Sequence, residues 1–495
     1  MSKLIIQNGN MCELDLPLKF AQKLYNEFAI RHPNAFYLRT RQRGMQNWDG
    51  KIHYITKTGQ FKIGLLPKVY DMCIEMGIKP KVVDMRQPLP KVSKVVTNIG
   101  KYKLRPEQEK AVKAVINNKI GNTPFHIGVL DYTVNAGKTL IMSSLYLSYK
   151  KQLKTLLITN DSDWLNQARE EFKQYLPGED ITFVQGKVLN WSNFTIGMVQ
   201  SISRNMRFYQ KELSQIDMVL IDEADQGGSK QYQNVITRLF NTRVRIGLSG
   251  TIYMSKLAKD RVKNMNLECF FGKVLAEFKL RDSIKKGYST KTVVKMVPGK
   301  PWYGNWESDC ISYKEIYDDS ITNCYTAWLM AYNRLLWNLN QGRYPALVVC
   351  KHIAHCENLY KFFKKKLGDA YNIAYVHVNT PSKLRQQIMK DFREGKIDIL
   401  VSTTIIARGK NFPKLRYLLN AASMDSQEKS IQFLGRLVRT DKSKKKVYLD
   451  DLHYPGNYLD RHGKHRKQYY QRQELKVILL DKLWKKHPNH SLIKS

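Results

Sequence analysis

Tyr132-Thr133-Val134-Asn135-Ala136-Gly137-Lys138-Thr139 is the stretch on which the fold turns. An apolar run, Ile127-Gly128-Val129-Leu130, precedes it, and a helix-forming run, Leu140 to Tyr149, follows. Strand, loop, then Gly-Lys-Thr opening a helix is an arrangement for holding phosphate. Backbone N–H groups and the helix N-terminus face the anion. Asn135, Ala136, Gly137, Lys138 and Thr139 are then the binding residues, with Lys138 on the β/γ-phosphates and Thr139 on Mg2+. The full pattern has Gly where Tyr132 stands, so the match is partial.

About 80 residues downstream of that loop, Met218-Val219-Leu220-Ile221-Asp222-Glu223-Ala224-Asp225 reads as an apolar strand ending in acids. Asp222 at that tip can hold Mg2+ through water, and Glu223 can polarise an attacking water. Gly247-Leu248-Ser249-Gly250-Thr251 ends another short strand. Around these, apolar strands alternate with amphipathic helices: Thr155 to Thr159, then Trp164 to Tyr175; Met218 to Ile221, then Tyr232 to Phe240. This is the βαβ rhythm of a parallel sheet. It recurs in Ala346 to Cys350, Ile373 to Val378, Ile397 to Ser402, Leu415 to Asn420 and Lys446 to Leu449. Two α/β lobes in tandem are expected, over 96–275 and 276–450. The second carries Gln432-Phe433-Leu434-Gly435-Arg436-Leu437-Val438-Arg439, whose arginines at i and i+3 share a helix face and can reach a γ-phosphate.

Residues 1–95 form a separate small α+β domain in this reading. Leu16 to Ile30 and Leu66 to Met76 are helical, and Lys51 to Phe61 is a hairpin turning at Thr58-Gly59. Gln87-Pro88-Leu89-Pro90 is the linker. Residues 451–495 are a basic tail, helical from Tyr469 to Trp484.

The 495 residues carry 82 Lys+Arg against 43 Asp+Glu, a net charge of +39. Such an excess repels itself in a compact fold, and a polyanionic partner, nucleic acid first, is what offsets it. No apolar run reaches the roughly 18 residues that suggest a membrane span. The first residues lack a secretory h-region, and the seven cysteines form no C-x-x-C pair, which fits a reducing cytoplasm. Cys350, His352, His355 and Cys356 are the one cluster with zinc-ligand chemistry, but Cys350 ends an apolar strand whose neighbours point to opposite faces, and packing is the expected role.

In this order the segments resemble superfamily 2 helicases over residues 100 to 440. Leu104-Arg105-Pro106-Glu107-Gln108 is similar to the adenine-recognition element, with Gln108 as reader. Asn135 to Thr139 is motif I, Leu156 to Gln167 motif Ia, and Val199-Gln200-Ser201 motif Ib. Asp222-Glu223-Ala224-Asp225 is motif II and Ser249-Gly250-Thr251 motif III. Val401-Ser402-Thr403-Thr404 through Arg408-Gly409-Lys410-Asn411 is motif V, and Gln432 to Arg439 motif VI. Motif Ia has Thr159-Asn160-Asp161 where Pro-Thr is usual, and motif V has Asn411 where Asp is commoner. DEAD-box RNA helicases typically pair motif II with a His-Arg-x-Gly-Arg motif VI; here Gln432 takes the His position, as in DNA translocases related to RecG.

A narrower resemblance lies in Phe36-Tyr37-Leu38-Arg39, Asn47-Trp48-Asp49-Gly50-Lys51 and Gly64-Leu65-Leu66, which are similar to the small N-terminal domain of the UvsW branched-DNA helicases of T-even phages. The resemblance implies two RecA-like lobes and the cofactors ATP and Mg2+. It assigns catalysis to Lys138, Asp222, Glu223, Gln432, Arg436 and Arg439. It also implies branched and single-stranded DNA as partners, RNA–DNA hybrids as a further candidate, 3′-to-5′ movement and a phage-encoded protein in the host cytoplasm. An RNA helicase or ribonucleoprotein remodeller is the alternative, and a passive nucleic-acid clamp a third. Basic residues outside the motor, Arg39, Arg41, Arg43, Lys51, Lys57 and Lys62 at one end and Lys442, Lys444, Lys445, Lys446, Arg461, Lys464, Arg466, Lys467 and Arg472 at the other, are expected on phosphates, with Tyr469 and Tyr470 either stacking on bases or packing on the second lobe.

Overall fold

The computed structural model describes residues 2–41, 44–149, 151–186, 190–252, 258–299, 312–407 and 412–480. The chain forms two compact units, Met1–Phe278 and Lys279–Ser495.

The main sheet of the first unit has seven strands, every neighbour parallel. Their order across the sheet is Ile181–Val184, Phe194–Met198, Thr155–Thr159, Met218–Asp222, Val244–Ser249, His126–Tyr132 and Val274–Phe278. The central strands are buried along their whole length, which is why they read as continuous apolar runs rather than alternating ones. Parallel pairing leaves all C-terminal ends on one edge, where the chain's polar loops emerge.

Residues 1–95 form a four-stranded sheet in the order Gln60–Lys62, Met11–Asp15, Lys3–Ile6, Lys81–Asp84, backed by the helices Leu18–Glu27 and Leu66–Glu75. Lys3–Ile6 and Met11–Asp15 alternate half-buried and buried positions, as a one-sided sheet requires. The expected hairpin over 51–61 holds at its tip: Ile55 bridges Phe61 antiparallel, Thr56 N–H donates to Gln60 O at 2.8 Å, and Gly59 N–H closes the turn on Thr56 O at 2.9 Å. Beyond the tip the arms diverge, Lys51–His53 pairing with Ala29–Arg31 and Gln60–Lys62 with Met11–Asp15.

This small domain is welded to the first lobe. Leu4, Ile6, Phe61, Leu65 and Val69 belong to the same apolar cluster as Ile127, Leu156, Val219 and Leu267. Gly9 sits so close to the lobe that a Cβ there would fall 2.5 Å from Leu239 O, and a Cβ on Gly64 would strike Glu268 O. Only glycine allows either approach.

The second unit repeats the design: Ile373–Val376, Ile399–Thr403, Ala346–Cys350, Tyr417–Asn420, Lys446–His453, Lys291–Pro298 and Val477–Leu479, again all parallel. The tail departs from expectation. Its helix is Asn457–Arg472, earlier than 469–484, and the chain beyond it adds the edge strand Val477–Leu479 to the sheet. The apolar triplet Val477-Ile478-Leu479 beside an open strand edge outweighs the helical spacing that follows Tyr469. Residues 481–495, with Trp484, lie outside the described residues.

Candidate nucleotide-binding site

The loop between His126–Tyr132 and the helix Lys138–Ser148 contains two left-handed residues, Asn135 at φ 64° and Gly137 at φ 72°. Left-handed residues in such a turn are the backbone form from which anion-binding nests are built, and the helix beginning at Lys138 adds its positive end. Gly137 is required twice over: by its φ, and because a Cβ would collide with Gln108 Nε2. Both amide atoms of Asn135 are buried without a hydrogen-bond partner, groups that a bound polar ligand would satisfy.

Gln108 is buried under this loop. Its Nε2 donates to Ala136 O at 2.8 Å, and its Oε1 accepts from the Arg105 N–H at 2.8 Å, closing a capping box on the helix Pro106–Ile116. Its amide therefore braces the phosphate loop.

Asp222 ends its strand 4.0 Å from Lys138 Nζ. Burial pushes its carboxyl up to about 7; Lys138 opposes this and Glu223 adds to it. Its Oδ1 is buried without a hydrogen-bond partner. A buried, under-satisfied carboxylate beside Lys138, the residue before Thr139, suits a hard divalent cation with oxygen ligands. Glu223 follows in the left-handed region at φ 53°, strain of the kind held at functional positions. Asp225 accepts from Ser249 Oγ at 2.8 Å, and Ser249 Oγ in turn accepts from Thr251 N–H at 3.1 Å, joining motifs II and III. In motif Ia, Asp161 Oδ1 accepts from Trp164 N–H at 3.1 Å, so the residue that departs from the usual pattern caps the next helix. Gln200 Nε2 donates to Asn160 O at 3.4 Å.

The structure thus brings Gln108, Asn135, Ala136, Gly137, Lys138, Thr139, Asp222 and Glu223 to one edge of the first sheet. In the second unit, Gln432 and Arg436 lie on the helix Gln427–Leu437, and Lys429 Nζ on the same helix donates to Thr404 Oγ1 at 3.1 Å, tying the helix that carries motif VI to motif V. Arg439 lies past the end of that helix, where its carbonyl accepts from Thr290 Oγ1, so the pair does not share a helix face as expected. Arg408 to Asn411 lie outside the described residues.

Several expected phosphate contacts are structural instead. Arg466 is 0% exposed and pairs with Asp451 at 2.8 Å. Lys444 is buried and donates to Leu415 O and Leu437 O. Tyr469 and Tyr470 are buried, their hydroxyls on Asp425 and Asp451, so packing is their role. Arg39, Arg41, Lys51, Lys57, Lys442, Lys445, Lys446, Arg461 and Lys464 are exposed; Arg43 lies outside the described residues. Cys350 and Cys356 are buried, and His355 bonds Tyr317 OH through Nδ1 at 3.1 Å, with burial pushing its pKa down to about 3. Among the described residues no group of three or more His, Cys, Asp or Glu side chains is placed to hold a metal ion. No described helix is long and apolar enough to cross a membrane.

Sequence reasoning missed Arg245, which is wholly buried and donates to Gly9 O (2.6 Å), Asn10 Oδ1 (2.8 Å) and Phe270 O (3.2 Å). An arginine inside an otherwise apolar strand was the available signal.

Comparisons with known proteins agree with this layout. Residues 101–254 match the model of the type III restriction enzyme res subunit, and 329–441 that of the helicase conserved C-terminal domain. The chain is 22% identical to a helicase-named protein of Sulfolobus islandicus filamentous virus, over 71% of this chain and 64% of that protein. It is 21% identical to the ATP-dependent DNA helicase uvsW of Enterobacteria phage T4, over 88% of this chain and 90% of that one. Among solved structures, S. cerevisiae Dbp5 bound to RNA and ADP BeF3 shares the fold at a TM-score of 0.52 and 14% identity, over 76% of this chain and 90% of that one.

Proposed function

This chain is a superfamily 2 helicase resembling UvsW, and from that premise we propose that it hydrolyses ATP with Mg2+ to translocate along and unwind branched DNA in recombination, repair and replication restart. The observation that carries the reading is the phosphate loop with Lys138 set beside Asp222 at the tip of the adjacent acidic strand. The net charge of +39 supports a polyanionic partner. The relation to uvsW, named an ATP-dependent DNA helicase and matched over 88% of this chain, supports DNA; forks and Holliday junctions, with R-loops as a further substrate, are what the resemblance of the N-terminal segments implies. That resemblance also implies 3′-to-5′ movement and action in the host cytoplasm.

In this mechanism Lys138 and the loop N–H groups hold the β/γ-phosphates, and Gln108 makes the loop and the adenine-side helix move together. Mg2+ held by Thr139 and Asp222 would neutralise phosphate charge. Glu223 takes the proton of the attacking water. Arg436 and Arg439 supply positive charge to the transition state, and Gln432 orients beside them. Asp225, through Ser249 and Thr251, passes the state of the acidic tip to the strand that ends in motif III.

Glu223→Gln keeps shape but cannot accept the proton. Nucleotide binding should persist while turnover falls by roughly 10²–10⁴. Loss of nucleotide affinity instead would make Glu223 structural. Measured on the intact protein, ATP turnover should rise far more with forked or single-stranded DNA than with RNA; the reverse order would assign it to RNA remodelling.

A further inference from the structure

Phe36 and Tyr37 are 80% and 54% exposed. They belong to the short helix Ala35–Arg41, Ala-Phe-Tyr-Leu-Arg-Thr-Arg, which carries no acidic residue. Arg39 and Arg41 are exposed on it too, and the Arg41 guanidinium lies 4.9 Å over the Tyr37 ring. Two exposed aromatic rings, Phe36 and a Tyr37 backed on one face by a guanidinium, are what unpaired nucleic acid needs: rings for the bases, cations for the phosphates.

The helix is also firmly mounted. His32 N–H donates to Gly50 O at 2.8 Å, and Ala35 packs against Gly50, where a Cβ would sit 3.1 Å from its own. Trp48 Nε1 donates to Lys51 O at 2.9 Å, and Asp49 pairs with His53 at 2.7 Å. His53 stacks on Tyr25 with ring centroids 4.1 Å apart. The next residue, Tyr54, donates its hydroxyl to Asn266 Oδ1 at 3.0 Å. Asn266 lies on Ala258–Phe271, the helix that follows motif III. A continuous run of hydrogen bonds and ring contacts thus ties the aromatic helix to the motor lobe.

We propose that Phe36 and Tyr37 form a stacking platform for unpaired bases at the branch of a DNA substrate, with Arg39 and Arg41 on the flanking phosphates. The proposal rests on the branched-DNA reading and adds the element that recognises the branch. Mounted on the first lobe, the platform keeps the branch in place while the motor draws a strand past it.

The test uses full-length protein and a fork carrying 2-aminopurine at the branch. Wild type should quench its fluorescence on binding. Phe36→Ala with Tyr37→Ala should lose the quench and weaken fork binding by roughly 5- to 150-fold per stacked base. Its DNA-independent ATP turnover and melting temperature should stay at the wild-type values, which separates the effect from misfolding. Phe36→Trp with Tyr37→Trp should restore the quench; Leu at both positions should not. Wild-type quench and affinity in the Ala pair would overturn the platform. So would a loss of self-association in that pair without a change in fork binding, since the patch would then face a second copy. If wild-type ATP turnover ignores DNA altogether, the branched-DNA reading itself fails.

Discussion

The two units solve the same problem in different ways. Each is a seven-stranded parallel sheet with an arginine wholly buried against it. In the second unit Arg466 meets Asp451, and Arg334 meets Asp450, carboxylates on the strand Lys446–His453 of the same unit. Burial pulls the Arg466 pKa down, and the Asp451 carboxylate more than reverses it, so the pKa ends raised. In the first unit Arg245 has carbonyl and amide oxygens as partners, two of them from Gly9 and Asn10 in the N-terminal domain. Burial, with Arg86 adding to it, pushes its pKa down to about 9. The second unit neutralises its interior charge with its own residues. The first relies on another domain to solvate its charge, so that domain completes the lobe.

The largest test of this contrast is deletion of residues 1–95. The shortened chain would keep Arg245 in a dry strand without Gly9 and Asn10, and would uncover the apolar surface under Leu4, Ile6 and Phe61. It should aggregate or lose near-ultraviolet dichroism, although every ATP-site segment lies beyond residue 100. A soluble fragment with normal ATP turnover would show that the first lobe is self-sufficient after all.

Next comes Asp451→Asn, which leaves Arg466 buried beside a neutral partner and should cost the second unit about 3–5 kcal/mol. Asp451→Leu with Arg466→Met should recover most of that loss, since matched apolar replacements of buried pairs are often tolerated. Arg245→Met strands acceptors rather than a charge, and should cost less, about 1–3 kcal/mol. Urea unfolding of the three variants gives the ranking; an Arg245 variant as unstable as Asp451→Asn would erase the distinction.

The smallest effect concerns the surface charge. Lys464 is exposed and Lys467 half-buried on the helix whose Arg466 is interior. Neutralising both lysines should make the slope of log affinity against log salt shallower by about 1.8 if both touch duplex phosphates. Parallel lines for variant and wild type would remove this helix from the DNA path.

The sheets, the phosphate loop and the acidic tip were legible because each depends on local pattern. Buried parallel strands are apolar throughout, and Gly-Lys-Thr and Asp-Glu-Ala-Asp sit at their ends. What was not legible depends on distant partners. Lys51–His53 and Gln60–Lys62 have strand character, but which edge each joins is decided by surface elsewhere in the chain. Lys464, Arg466 and Lys467 look alike as letters; only the carboxylate of Asp451 beneath the helix makes one of them interior. Phe36 and Tyr37 served as family markers, and their exposure appeared only with the fold.

The edge strand Val477–Leu479 has a consequence for how the protein is made. It pairs with Lys291–Pro298, which leaves the ribosome long before it does. At roughly 5–20 residues per second the wait is on the order of ten seconds or more. Through that interval the earlier strand presents a bare edge to the cytosol, while the first unit, complete at Phe278, is free to fold. The nascent chain therefore passes through a half-assembled stage in which one motor lobe is finished and the other is open to wrong strand partners. Chaperone demand should concentrate in that interval.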